Sequence, residues 1–585
     1  VSGPLSVLSD QIHRLTRARA EARAKAHLGR LAAGLSFSGL AHRPPVRDFG
    51  DFTAARDALS GTLRIGGYAT PLTDLTPWDI PLPTEALTQA LHGFAWLDDF
   101  EALSGKAARA QAQRWAIGWL DRFGEGQGPG WTPVATAGRL KRMIIHMPFL
   151  EKDLEGEQLS RLQAILPVFA AFLDETSGRA ETGADRAAAL TGMVYGAICL
   201  NGWQDRLAPA LKGLAQLAQD RVSPNGGMKS RNPEALLAVF RDLVTVKTLL
   251  EETTRPPVPE IEAAIRRIAP ALRLLRHGDG TLARFHGGGP GADGLLDRSL
   301  AEAGIRTRPG TAPAMGYVRL HGGRTQVIVD CARPPENSDH GHASTLAFEM
   351  SSGRRPVIVN TGPALAQCPD WWRAARSTSA HNTLALDKTS SSRLGPERAA
   401  GRAGFDALLT RPSMVTLAQA SDATGAWIQT RHDGYLEDYG LLHERRLFLS
   451  AQGDQVHGED VLLSPDDKAR RRFSARIKGA SKLGVALSVH FHLHPDVDAA
   501  LERATDTVRL TLLSGEVWVF RHDGGQVDLE TGVYLDPDKP EPVATRQMVL
   551  RSRATTHKAE ISWSLVREVV AGRARRDVAV DAQQG

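Results

Sequence analysis

The sequence predicts a multidomain α + β protein, with a helical N-terminal half followed by a sandwich of antiparallel β-sheets. Three observations carry this. The chain has 585 residues, too many for one hydrophobic core. Apolar residues recur at steps of three and four from about residue 83 to 276, the spacing of helix faces. From residue 316 onward, short Val-, Ile-, Leu-, Thr- and Phe-rich runs alternate with Gly, Pro, Asp and Ser, the pattern of strands and turns.

Residues 1–75 read as an irregular segment with one basic helix at 9–33. Amphipathic helices are expected at 85–98, 106–123, 137–150, 157–175, 184–200, 204–221, 233–252 and 258–276. Leu207, Leu211, Leu214 and Leu217 illustrate the periodicity, as do Ile261, Ile265, Ile268, Leu272 and Leu275. The connections are short and rich in breakers, such as Ser223-Pro-Asn-Gly-Gly227. Helices joined this way form stacked helical hairpins; periodicity does not choose between a bundle, a solenoid and a toroid. A glycine-rich loop at Gly287–Gly291 marks the domain boundary, placed at 277–312. Strands follow at 325–331, 344–350, 356–360, 382–387, 443–450, 485–494, 507–513, 516–521, 546–551 and 558–566. Hairpin turns are expected at Ser351-Ser352-Gly353 and Ser514-Gly515. No internal repeat of fixed period stands out. The domains are thus 1–75, 76–300, 312–570 and a polar tail, 571–585.

Composition is that of a soluble globular protein, 42% hydrophobic and 23% charged. The net charge is +5 and the pI about 9.1, a basic balance compatible with an acidic polymer. Basic residues are dispersed and carry no nucleic-acid motif, so nucleic-acid binding is not expected. No apolar run reaches membrane-spanning length. Cys199, Cys331 and Cys368 lie far apart without a CxxC, so neither a disulfide scaffold nor a Cys zinc site is expected. The N-terminus has no signal-peptide pattern, although the chain begins with Val1.

Residues 340–383 concentrate the chemistry: His340-Gly-His342, Leu346-Ala-Phe-Glu349, Ile358-Val-Asn-Thr-Gly362 and Ser379-Ala-His-Asn-Thr383. Imidazoles gathered at strand ends can bind a metal or move a proton. With His432-Asp-Gly-Tyr435, His443-Glu-Arg-Arg446, Phe491-His-Leu-His494, Leu91-His-Gly-Phe-Ala-Trp-Leu97 and Gly226-Gly-Met-Lys-Ser-Arg-Asn-Pro-Glu234, this set resembles the heparinase II/III-like polysaccharide lyases. The resemblance spans about residues 75–566. It implies an N-terminal incomplete (α/α) toroid followed by a C-terminal antiparallel β-sandwich, with the active site in the groove between them. It also implies cleavage of uronate polymers by β-elimination, and work in the cell envelope or periplasm. The missing signal keeps a cytoplasmic location as the alternative.

That reaction needs a neutralised uronate carboxylate, a base for the C5 proton and an acid for the departing oxygen. Asn232, beside Arg231 at a helix start, suits the first task; as a plain helix cap it would look the same. His340 matches the family's catalytic His. His342, Asn360 and His381 resemble its zinc-binding set, but with an amide where the family has a carboxylate, which weakens a zinc site; Asp339 or Glu349 would have to complete it. The family's helical-domain Tyr is also missing: no Tyr occurs between Tyr195 and Tyr317. His286 or Tyr317 is the expected substitute proton carrier, with Phe285 standing as the Tyr without its hydroxyl. Trp131, Trp372 and His92 are candidates for sugar contact, and Arg319 and Arg376 for holding the anionic polymer. Two other functions compete. A non-catalytic glycan-binding or exopolysaccharide-assembly protein would keep this fold without the Tyr. A glycoside hydrolase would need a carboxylate pair, from Glu234, Asp339 and Glu349.

Overall fold

The computed structural model describes residues 19–73, 75–180, 182–336, 340–363, 369–395, 407–480, 483–539 and 541–568. They fall into two compact units: those up to Arg221 with Ala238–Ile265, and Val222–Leu237 with those from Arg266 onward. Asp339, Cys368 and the tail lie outside the described residues.

The first unit is helical, apart from a small hairpin pairing Thr62–Ile65 with Tyr68–Pro71. Its principal helices are Glu85–His92, Ala95–Leu103, Gly105–Phe123, Pro133–Ile145, Gly156–Thr176, Gly183–Cys199 and Leu207–Arg221. Cap chemistry fixes several starts. Thr84 accepts from the backbone N–H of Leu87, Thr132 from Ala135 and Thr182 from Asp185, each satisfying a donor that the first helical turn leaves unpaired. Helix Pro233–Glu252 begins in the same way, with the Asn232 side chain accepting from Ala235 N–H at 3.0 Å. These caps sit 48, 50 and 50 positions apart, so a helical repeat is present that the hydrophobic pattern did not reveal.

The core of this unit is aromatic. Trp119 and Trp131 pack with ring centroids 5.8 Å apart, and Phe169 lies 5.8 Å from the first and 5.5 Å from the second. The guanidinium of Arg139 lies 3.9 Å from the Trp119 ring centre and 4.4 Å from that of Phe169. Cation–π attraction and bonds to the His92 and Gly130 carbonyls hold this fully buried cation. Where Pro133–Ile145 meets Gly183–Cys199, a Cβ placed on Gly192 would lie 2.6 Å from the Ala137 Cβ; glycine sets how closely these helices approach.

The second unit is built on antiparallel sheets. Eight strands run in the order Val415–Ser421, Gly425–His432, Leu442–Ser450, Gln455–Leu463, Lys558–Arg567, Val517–Asp523, Thr507–Thr511, Asp498–Glu502. A four-stranded sheet contains Gln526–Tyr534, Val543–Ala554, Val485–His492 and Leu384–Leu386, and another contains Tyr317–Gly322, Thr325–Asp330, Phe348–Ser352 and Arg355–Ile358. Phe348, Phe491, Phe520 and Trp563 pack at the centre, with Phe348 stacked on Trp563 at 5.5 Å. The expected strand at 344–350 is shorter at its start: residues 344–347 form an irregular turn in which Leu346 adopts φ 67°. Helix Asp467–Ala480 was not expected; its DKARRRFSARIKGA sequence turns only Ala469, Phe473 and Ile477 toward the body, too thin an apolar stripe to stand out.

Candidate functional site

The candidate site lies within the second unit, around Gly287-Gly288-Gly289. Three consecutive glycines each seat one polar side chain. A Cβ on Gly287, whose φ is 80°, would lie 3.2 Å from the His340 Cβ; one on Gly288 would lie 2.5 Å from Asn232 Oδ1; one on Gly289 would lie 3.4 Å from Glu234 Oε2. At Gly288 a Cβ would displace the Asn232 oxygen and at Gly287 it would crowd His340 from a left-handed backbone, so glycine is a steric requirement at these two positions, while at Gly289 the contact is an ordinary one. His340 is exposed and packs edge-on against Trp372, ring centroids 5.3 Å apart.

Asn232 spends its carbonyl oxygen on the helix cap, leaving its NH2 end as a donor. Glu234 accepts from Gly289 N–H at 2.8 Å. Desolvation lifts its carboxyl above the ordinary range; the Gly289 bond opposes this, and Asp538 adds to it.

Beneath this surface Arg231 is fully engaged. It pairs with Asp330 and donates from Nε to the Met315 carbonyl at 2.7 Å and from Nη1 to the Arg333 carbonyl at 2.8 Å. Its own carbonyl accepts from the Tyr317 hydroxyl at 2.6 Å. Arg231 adopts φ 53°, and neighbouring Met315 and His286 adopt 54° and 48°. Such left-handed backbone costs energy in residues other than glycine, and here the buried ion pair and carbonyl bonds hold it. Asp330 also accepts from Ser344 at 2.8 Å. Burial raises its affinity for a proton, but Arg231 and His286 outweigh this and hold the carboxyl well below its usual range.

The imidazoles form an ordered relay. The Ser377 carbonyl can only accept, so His381 Nδ1 donates to it, at 2.7 Å. Burial pushes the His381 imidazole down to about 4, which keeps it neutral with Nε2 as acceptor. His342 Nδ1 donates to that atom at 3.0 Å. His342 Nε2 is then a bare lone pair, buried without a hydrogen-bond partner. His286 Nδ1 accepts from the His342 backbone N–H at 3.1 Å.

Several expected roles do not fit these positions. Tyr317 is fully buried with its hydroxyl committed to Arg231, and burial drives its pKa far upward; it is no proton carrier. His286 is equally buried and bound to backbone. Arg231 has no donor left for substrate. Arg376 is buried and supports the His340 loop through the Gly341 carbonyl at 2.9 Å. Arg319 donates to the Arg273 carbonyl at the end of helix Pro259–Leu274. His92 and Trp131 belong to the aromatic core of the first unit: His92 accepts from Trp119 Nε1 at 3.0 Å, and Trp131 donates to the Phe123 carbonyl at 2.7 Å.

The set His342, Asn360 and His381, expected to hold zinc, is drawn into hydrogen bonds with its neighbours. The two imidazoles bond to each other. The Asn360 amide donates to the Arg284 carbonyl at 3.0 Å, and its oxygen accepts from Asn382. Glu349 is equally occupied, by His277, Arg284 and the Asn360 backbone. Among the described residues no group of three or more His, Cys, Asp and Glu is placed to hold a metal.

A second buried network ties the site loops to the large sheet; the His432 and His443 motifs stood out in the sequence, but their joining through Asp460 did not. Gly434 N–H donates to His432 Nδ1, His432 Nε2 to His443 Nδ1, and His443 Nε2 to Asp460 at 2.7 Å. Arg445 makes a bidentate pair with Asp460 at 2.8 and 2.9 Å. Its remaining nitrogen donates to the carbonyls of Leu346 and Asn382. Trp563 Nε1 also donates to Asp460, at 3.1 Å.

Comparison with known proteins gives this arrangement its context. The "Heparinase II/III-like, C-terminal" family model matches residues 305–564. FtsZ-localized protein C of Caulobacter vibrioides (strain NA1000 / CB15N) is 30% identical over 552 residues, covering 90% of each chain. Among solved structures, heparinase III superposes with a TM-score of 0.67 at 12% identity, over 94% of this chain and 89% of that one. Heparan sulfate lyase HepC from Pedobacter heparinus gives 0.53 at 13% identity, over 97% and 91%. The expected fold class, helical toroid followed by antiparallel sheets, is the one these structures share. By shared fold, by the matched C-terminal half and by a relative that runs nearly its whole length, the chain belongs to the heparinase II/III-like family.

Proposed function

We propose that this protein is a polysaccharide lyase that cleaves an acidic, uronate-containing polysaccharide or oligosaccharide by β-elimination. The seating of His340, Asn232 and Glu234 on three consecutive glycines carries this reading. The Asn232 NH2 group and the start of helix Pro233–Glu252 neutralise the uronate carboxylate, which makes the C5 proton removable. His340 takes that proton. Glu234, held toward its protonated form by desolvation and Asp538, gives a proton to the departing O4. The C5–H and C4–O bonds break, a C4=C5 double bond forms, and one proton passes from Glu234 to His340 in net terms. Glu234 thus replaces the tyrosine this chain lacks, in place of His286 or Tyr317. Trp372 walls the base and offers a face to a sugar ring. No step is routed through zinc.

The test is incubation with a panel of uronate polymers, followed by the ultraviolet absorbance of a 4,5-unsaturated uronate. His340→Ala abolishes it, and Glu234→Gln lowers kcat by about 100-fold with little change in KM. Saturated reducing ends instead of the unsaturated product would overturn the mechanism in favour of hydrolysis.

The 30% identity to FtsZ-localized protein C supports a second reading. Here the protein binds envelope glycans without cleaving them, at the place where FtsZ gathers. Glycan binding with no product across the panel, and a fluorescent fusion that follows FtsZ, would favour it.

A further inference from the structure

The first unit holds a cavity of about 300 Å³, at the small end of the range for small-molecule sites. Gly93, Gly138 and Gly192 lie along its wall, and Lys141, Thr191 and Asp242 supply its polar groups. Neither the Lys141 ammonium nor the Asp242 carboxyl has a hydrogen-bond or ion-pair partner among the described residues. Other charges nearby are spent: Arg142 on Asp98 and the Gly93 carbonyl, Arg241 on Asp48. Thr191 is 1% exposed, and its hydroxyl is buried with no partner. Unpaired buried polar groups are costly and uncommon. Here one such hydroxyl, that of Thr191, shares a cavity with the half-buried Lys141 and Asp242, and the three together call for a ligand that reaches them all.

We propose that this cavity binds a small polyhydroxylated carboxylate of the hexuronate type, its carboxylate on Lys141 and its hydroxyls on Thr191 and Asp242. The Lys141 ammonium, attracted by Asp48 and Asp242 but hydrogen-bonded to neither, can donate to an anionic group. Thr191 and Asp242 suit hydroxyls, which both donate and accept. Burial pushes the Asp242 carboxyl up to about 6, with Lys141 and Arg241 opposing it; near neutral pH it is an acceptor for ligand hydroxyls. No aromatic ring lines the cavity, so recognition is by polar groups rather than by stacking. The site is separate from the His340, Asn232 and Glu234 group and does not require that cleavage occur.

Isothermal titration of the full chain with D-glucuronate, D-glucose and D-glucosamine tests this. Glucuronate binds, and glucose binds at least about tenfold more weakly, the worth of one charge-assisted hydrogen bond. Lys141→Met and Thr191→Val each weaken glucuronate by about tenfold or more, with unchanged far-ultraviolet circular dichroism. Lys141→Gln serves if the methionine variant fails to fold. Asn232→Ala retains the binding, which separates this cavity from the lyase site whether or not any polymer is cleaved. Absence of saturable glucuronate binding, unchanged affinity in both Lys141 variants, loss of binding in Asn232→Ala, or a preference for glucosamine overturns the assignment.

Discussion

At the scale of single residues, the glycines at 287–289 decide what the site can do. Gly288→Ala places a methyl group 2.5 Å from Asn232 Oδ1. The amide must move, and with it the cap of helix Pro233–Glu252. The expected result is a loss of about 100-fold in kcat/KM, since small misplacements of a positioned group are that costly, with a fall in stability of about 1 kcal/mol from the weakened cap. Turnover with uronate oligosaccharides and urea denaturation measure the two; a variant with unchanged turnover would show that Asn232 does not touch substrate. Some of this was legible. That Asn232 and His340 are candidates could be read from sequence, because an Asn-Pro helix start and a His-x-His turn are local patterns; that they lie against neighbouring glycines could not. Glu234 was noticed only as a candidate for hydrolysis, because its use depends on Gly289 and Asp538, far away in the chain. The misreadings share one cause. Arg231, Tyr317, His286 and Arg376 have the right chemistry for a site, but their hydrogen bonds are spent on one another and on backbone, and burial cannot be read from residue type.

At the scale of elements, helices were read well where one face is apolar, and several strands were missed where one face is open. Val415–Ser421 is mostly exposed, so its alternation carries little hydrophobic signal. The helical repeat escaped for a different reason. It is written in caps (Thr84, Thr132, Thr182 and Asn232), while the apolar residues between them vary. In the last position asparagine replaces threonine, so the cap also carries an NH2 group that can donate. Close packing between helices makes a further prediction. Gly192→Val must push Pro133–Ile145 away from Gly183–Cys199, because even a Cβ there meets Ala137 at 2.6 Å. Overpacking of this kind costs about 1–3 kcal/mol, measurable as a lower denaturation midpoint; a midpoint equal to the parent's would mean the helices have room that the geometry denies.

For the molecule as a whole, buried neutral histidines set the response to acid. Burial depresses His92 to about 4, His381 to about 4 and His492 to about 3. Each binds a proton more readily when unfolded, with a value of about 6.5. Their contribution to stability is therefore complete above about pH 6.5 and is lost as pH falls from there toward 4. The melting temperature should drop steadily between pH 7 and 5, before ordinary carboxylates titrate. A flat profile over that window would mean these rings are not held neutral. At this scale the change from helices to sheets was plain in the sequence, because periodicity is local. The assignment of Val222–Leu237 to the sheet-bearing unit was not, because it rests on contacts such as Arg231 with Asp330.

Arg445 also constrains when the site comes into existence during synthesis. It grips carbonyls 99 and 63 positions upstream, and its carboxylate partner is itself bound by Trp563, 103 positions further on. A nascent chain lacks the Trp563 bond to this brace until strand Lys558–Arg567 has been made. Truncation through strand Lys558–Arg567 would remove the Trp563 bond that supports this brace and loosen the turn at Leu346, far from the break.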